Sequence, residues 1–143
     1  MANPTRIIKS DSGCIMDFVP SAAIGASGTS NAYVGAESYS GVTLFLNVTA
    51  ASGSAQTLDV ILQKLLPDGA TWMDIAAFAQ LTSAALRTLD FVSGGSQFNT
   101  PVDGSLAASS ILTTLLGSTL RIKYVIGGTS PSFTFQVSAE FLP

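Results

Sequence analysis

Two stretches of the chain alternate cleanly between apolar and polar residues. In residues 119–126, Leu120, Ile122, Tyr124 and Ile126 share one parity, and Arg121 and Lys123 take the other. In residues 133–141, Phe133, Phe135, Val137, Ala139 and Phe141 alternate with Thr134, Gln136, Ser138 and Glu140. A β-strand turns successive side chains to opposite faces, so each run has one face for a core and one for water. Between them lies Gly127-Gly128-Thr129-Ser130-Pro131-Ser132, rich in residues that accept sharp turns. The pattern predicts a β-hairpin. The same design occurs earlier. Val42, Leu44, Leu46 and Val48 alternate with Thr43, Phe45, Asn47 and Thr49, and after residues 50–56, Leu58, Val60 and Leu62 lie opposite Asp59, Ile61 and Gln63. That is a second predicted hairpin.

The remaining elements are shorter. Residues 14–19 form a candidate strand closed by Pro20, and residues 33–39 hold another. Residues 21–31 are rich in Gly, Ala and Ser and read as a loop or extended arm, with Gly25 and Gly28 interrupting any helix. Pro67-Asp68-Gly69 signals a tight turn before a strand opening at Thr71 and Trp72. Residues 86–92 form a strand with Leu89 and Phe91 inward and Arg87 on their parity. Within residues 105–116, Leu106, Ile111, Leu112, Leu115 and Leu116 predict a short amphipathic helix ended by Gly117, with an irregular strand as competitor. About seven to eight strands with connections too short for crossover helices define an all-β chain, an antiparallel β-sandwich of jelly-roll or immunoglobulin-like type. The predicted organisation is an extended N-terminal arm or loop over residues 1–31 and a β-sandwich domain over residues 32–143.

Composition sharpens this picture. Of the 143 residues, 47% are hydrophobic and only 10% charged, against roughly a quarter charged in ordinary soluble domains. The remainder is small and neutral, with 19 Ser and 14 Thr. Such a surface fits burial in an assembly, and it also fits an ordinary β-domain with a neutral coat. Net charge is −3 and the six basic residues are dispersed, which argues against nucleic acid. One cysteine, Cys14, cannot close an internal disulfide and reads as a small buried apolar residue. No apolar run reaches the ~18 residues of a membrane span, and the N-terminal residues lack a signal peptide's apolar core. The expectation is synthesis in a cytoplasm and no membrane partner.

The chain contains no histidine, which removes the usual general base, zinc ligand and triad member. Cys14 without histidine is a poor nucleophile candidate. No two carboxylates are paired by the sequence as glycoside hydrolysis requires, and Asp68 and Asp74 do not match a calcium loop. The Gly-rich pieces lack the Lys-Ser/Thr that completes a phosphate loop. Asn47-Val48-Thr49 matches a glycosylation sequon inside a predicted strand, where chance is the better explanation. No catalytic, cofactor or metal site is expected, and no enzymatic activity. Partner contacts are the remaining possibility. Arg6, Ile7 and Ile8 in the arm, Phe45 and Ile61 on outward parity, and Trp72 beside the turn are the candidates.

The segments YSGVTLFLNVTAASGSAQTLDVILQ, PDGATWMDI, AAFAQLT and LRIKYVIGGTSPSFTFQVSAEFLP, together spanning residues 39–143, resemble small β-sandwich virion proteins of tailed bacteriophages. The chain departs from that pattern at Leu65-Leu66 and over residues 105–116. The resemblance implies a capsid decoration (cement) protein: non-enzymatic, located on the virion's capsid surface, bound to the major capsid protein, and a homo-oligomer, trimer or dimer. The alternative is a tail or fibre component, or a carbohydrate-binding sandwich contacting a host surface through Trp72, Tyr33 or Tyr39.

Overall fold

The computed structural model describes residues 5–7 and 13–143. Among these the fold is all-β, as the alternation predicted, with nine strands, one 3-10 turn and no α-helix. The strands are β1 (Thr5–Arg6), β2 (Cys14–Ile24), β3 (Gly28–Thr29), β4 (Tyr33–Val34), β5 (Gly41–Leu65), β6 (Trp72–Ala77), β7 (Ala85–Val92), β8 (Ser110–Ile111) and β9 (Thr119–Leu142). They form one hydrogen-bonded sheet, antiparallel except for the β1–β4 pair.

The two predicted hairpins are absent. β5 runs 25 residues and β9 runs 24, and they pair with each other from Gly41↔Leu142 to Lys64↔Leu120. The segments read as hairpin turns lie opposite one another, at Ser52↔Ser132 and Ser54↔Thr129, where the register slips repeatedly. Here Gly53, Ala55, Gly128 and Ser130 have positive φ. The small, turn-prone residues therefore make a bulged corner through which both strands continue. The bend is sharp. Tyr124 and Phe135, 11 residues apart along β9, would be about 36 Å apart on a straight strand; their ring centroids are 5.5 Å apart.

The ribbon thus has two halves. One half is ordered β2–β9–β5–β7, using residues 133–142 of β9 and 41–52 of β5. In the other, residues 119–127 of β9 and 57–65 of β5 carry β3 and β4 on one side and β6 and β8 on the other. Their inward residues share one core. Val42, Leu44, Leu46, Val48, Phe133, Phe135, Val137 and Phe141 come from the first half, and Leu58, Val60, Leu62, Leu120 and Ile122 from the second. Every inward position predicted on these runs from 42–48, 58–62 and 133–141 is buried.

Three further expectations are corrected. Residues 21–24, read as loop, extend β2 past Pro20, and β2 pairs with β9 up to Ile24↔Phe133. Proline is tolerated because β2 is an edge strand. Strands β1, β2 and β3 of the sheet therefore lie inside the segment expected to be an arm. Residues 105–116 form no helix. They are irregular apart from β8, because Leu112 and Ser109 spend their N–H groups on Ile75 and Phe78 of the sheet. Ile7, a candidate partner contact, is 3% exposed and belongs to the core.

The turn between β5 and β6 is held by Asp68. Its carboxylate accepts from Thr71 Oγ1 at 2.5 Å, Thr71 N at 2.9 Å and Ala70 N at 3.0 Å. These donors, the Thr71 hydroxyl foremost, lower its pKa from 3.8 to about 2. A depressed carboxylate pKa stabilises the fold above the unfolded value, and this contribution is lost as pH falls through the folded value. The Asp68 carboxyl should therefore titrate near pH 2 in a carbon-13 NMR series. In Thr71→Val the midpoint should move up toward 3.8, since the hydroxyl donor is gone.

Candidate interaction face

The two outer faces of the sheet differ. Outside the second half, Gln63, Ile61, Asp74, Arg121 and Lys123 have outward parity, yet Gln63 and Asp74 are fully buried and Ile61 is 2% exposed. The chain's own residues 102–106 lie over this face. Both Asp74 carboxylate oxygens accept from Gly104 N at 2.8 Å, and Oδ2 also accepts from Ser105 N and Leu106 N at 2.9 Å. Three consecutive backbone N–H groups converging on one anion form a nest. Gln63 Nε2 donates to Asp74 and to Asp103, both at 2.7 Å, and Gln63 Oε1 accepts from Arg121 Nε at 2.7 Å. Lys123 Nζ donates to Asp103 at 2.8 Å. The hydrogen bonds from Lys123 and then Gln63 hold the Asp103 carboxyl below its ordinary pKa, while burial lowers that of Arg121.

Two of the candidate contacts lie beside this network. Ile61, on the same face as this network, is buried and is not a surface residue. Trp72 is half-buried, and the Arg121 guanidinium sits 4.1 Å over one face of its ring, a cation–π contact. Tyr39 is buried against Phe141, and Tyr33 stacks edge-on against Phe18. The network also joins Asp74 and Asp103 through one amide, a pairing the sequence did not reveal, and each of the two carboxylates is engaged by donors. Among the described residues no group of three or more His, Cys, Asp or Glu could hold a metal ion, and no helix is long and apolar enough to cross a membrane.

Among the described residues none covers the outer face of the first half. Its rows follow from the registers: Leu142, Gly41 and Val92; Ile15, Glu140, Thr43 and Asp90; Asp17, Ser138, Phe45 and Thr88; Gln136, Asn47 and Leu86. Eight large apolar residues are exposed among the described residues, and Ile15, Phe45, Leu86, Val92 and Leu142 are on this face. Ile15 and Phe45 flank a shallow pocket of about 120 Å³ with Thr43, Ser138 and Glu140. The charged residues in these rows are all acidic. Asp17 accepts from Ser138 and Gln136, and Asp90 from Thr43, so two of the three carboxylates are fixed in place. Phe45, a candidate contact, is exposed on this face. Arg6 is exposed and lies 3.9 Å from Glu37, away from this face, and Ile8 lies outside the described residues.

Fold and face together define an all-β protein in which, among the described residues, one outer sheet surface is covered by the chain's own residues 102–106 and the other is open. No protein-family model, curated protein or solved structure matches the chain.

Proposed function

We propose that the protein is a non-enzymatic structural component of a tailed-bacteriophage virion, a capsid decoration (cement) subunit that lays its bare sheet face against the shell of major capsid protein and stabilises it. The observation carrying this reading is the contrast between the faces. A chain that covers one outer face with its own loop leaves Ile15, Phe45, Leu86, Val92 and Leu142 open on the other. An apolar patch set among fixed carboxylates suits a partner surface that is apolar with basic residues around it. The strand motifs that resemble phage β-sandwich proteins support the same reading. A shell repeats one docking surface many times, so an oligomer can gain occupancy through several weak contacts.

The test uses shells, lacking this protein, of the virus that encodes it. Purified protein should bind them, and cryo-electron microscopy should show the β2–β9–β5–β7 face against the shell. Ile15→Lys with Phe45→Lys should weaken occupancy at least about tenfold, since each exposed apolar contact contributes on the order of 1–2 kcal/mol. Binding to isolated tails instead would favour a tail component. Full occupancy by the double-lysine variant would overturn the assignment of the face.

A further inference from the structure

The sheet has two long edges in its first half, and they are treated differently. β2 carries Pro20 and two register shifts, between Asp17 and Val19 and between Val19 and Ala22. Proline and bulges are devices that stop an edge from recruiting another strand. β7 has neither. It pairs with β5 in unbroken register from Ala85 to Val92, and among the described residues it pairs with no other strand. Its eight residues, ALRTLDFV, contain no proline, glycine or lysine. Alternate residues of such a strand direct N–H and C=O groups away from β5; of these the Leu86 carbonyl accepts from the exposed Arg87 side chain at 2.8 Å, a contact the added strand would replace. Leu86 and Val92, near its two ends, are 59% and 77% exposed.

We infer that the β7 edge is a self-association surface, where β7 of a second copy adds antiparallel about a two-fold axis through Leu89. The choice of a second copy rests on the strand's own residues. An axis normal to the sheet keeps outward side chains outward in both copies, so residues that meet across the seam come from the same face. Centring on Leu89 sets Leu86 against Val92 of the second copy and Thr88 against Asp90 on the outer face, and Arg87 against Phe91 on the inner face, each match occurring twice. The neighbouring registers fail. Centring on Thr88 sets Leu86 against Asp90, centring on Asp90 opposes two carboxylates, and centring on Arg87 opposes two guanidiniums. Beside β7 lies a groove of about 300 Å³, lined by Ala77, Phe78, Arg87, Leu89, Asp90 and Ile111 among others.

The dimer would carry one continuous sheet, β2–β9–β5–β7 joined to its copy, with both bare faces pointing the same way. This inference goes beyond the shell-binding reading and does not rest on it.

Analytical ultracentrifugation of the full chain tests it. The natural protein at on the order of 100 µM should sediment as a dimer. Leu86→Lys with Val92→Lys places like charges opposite each other twice and should weaken association at least about tenfold. Leu86→Lys with Val92→Glu should restore it. All four positions changed across the seam are exposed, and circular dichroism checks that each variant is folded. A monomeric or trimeric natural protein would overturn the inference. So would a dimer indifferent to the two lysines, or one that the Lys/Glu combination fails to restore.

Discussion

Replacing Asp74 with Ala should lower the unfolding free energy by about 3–5 kcal/mol, one of the largest losses available from a single polar residue in this chain. The carboxylate is fully buried and takes donors from Gly104, Ser105, Leu106 and Gln63. Alanine leaves those four N–H groups facing a space with no acceptor. An unsatisfied buried donor costs roughly 1–3 kcal/mol, and partial entry of water reduces the total. A typical domain is stable by only about 5–15 kcal/mol, so the variant should be close to the limit of folding. Asp74→Asn should cost less, because the amide keeps one acceptor oxygen, though its NH2 then points at other donors. Urea denaturation followed by fluorescence measures both, and the single tryptophan is well placed. Trp72 lies under Arg121, which is bonded to Gln63, so detachment of residues 102–106 should change its emission. A loss below about 1 kcal/mol for Asp74→Ala would show that the nest does not hold the covering segment.

The same network shows why part of the molecule was legible in the sequence and part was not. Alternation states which side chains share a face, and on the long runs it placed Leu44, Leu46, Phe133, Phe135 and Phe141 in the core correctly. It does not state which strand lies opposite. Residues 50–56 and 127–132 have turn chemistry, and the same chemistry serves a hairpin or a bulged corner. The choice was made by pairing between β5 and β9, whose partners are as far apart as Gly41 and Leu142. Outward parity misled at Ile61, because parity states which face a side chain is on and not whether that face is covered. Nothing near Asp74 marks it as an acceptor for residues 104–106. The outward reading of Phe45 agrees with its exposure, since no described residue covers its face. The edge at β7 was half legible: Leu89 and Phe91 were read as inward, but a free edge is a property of the sheet and not of the strand.

The corner gives the second large effect. Gly128→Ala should cost about 2–4 kcal/mol, and Gly53→Ala a similar amount. Gly128 has φ 111°, and a Cβ there would stand 2.8 Å from Ala55 O and 2.8 Å from Gln56 Cα. At Gly53, φ is 122° and the nearest atom would be Pro131 Cα at 2.9 Å. These neighbours are backbone, so no side-chain rotation relieves the overlap. Relief would require β5 and β9 to separate where both change direction, which would disturb the contact of Tyr124 with Phe135 across the fold. Gly69→Ala separates the two causes of the cost. Gly69 also has positive φ, 70°, but a Cβ there meets nothing within 4 Å. It should cost only about 1 kcal/mol, the conformational penalty alone. If Gly128→Ala proved no more destabilising than Gly69→Ala in parallel urea titrations, the close crossing of the two backbones could not be what bends the ribbon. The small residues on both sides of the corner would then act only through their flexibility.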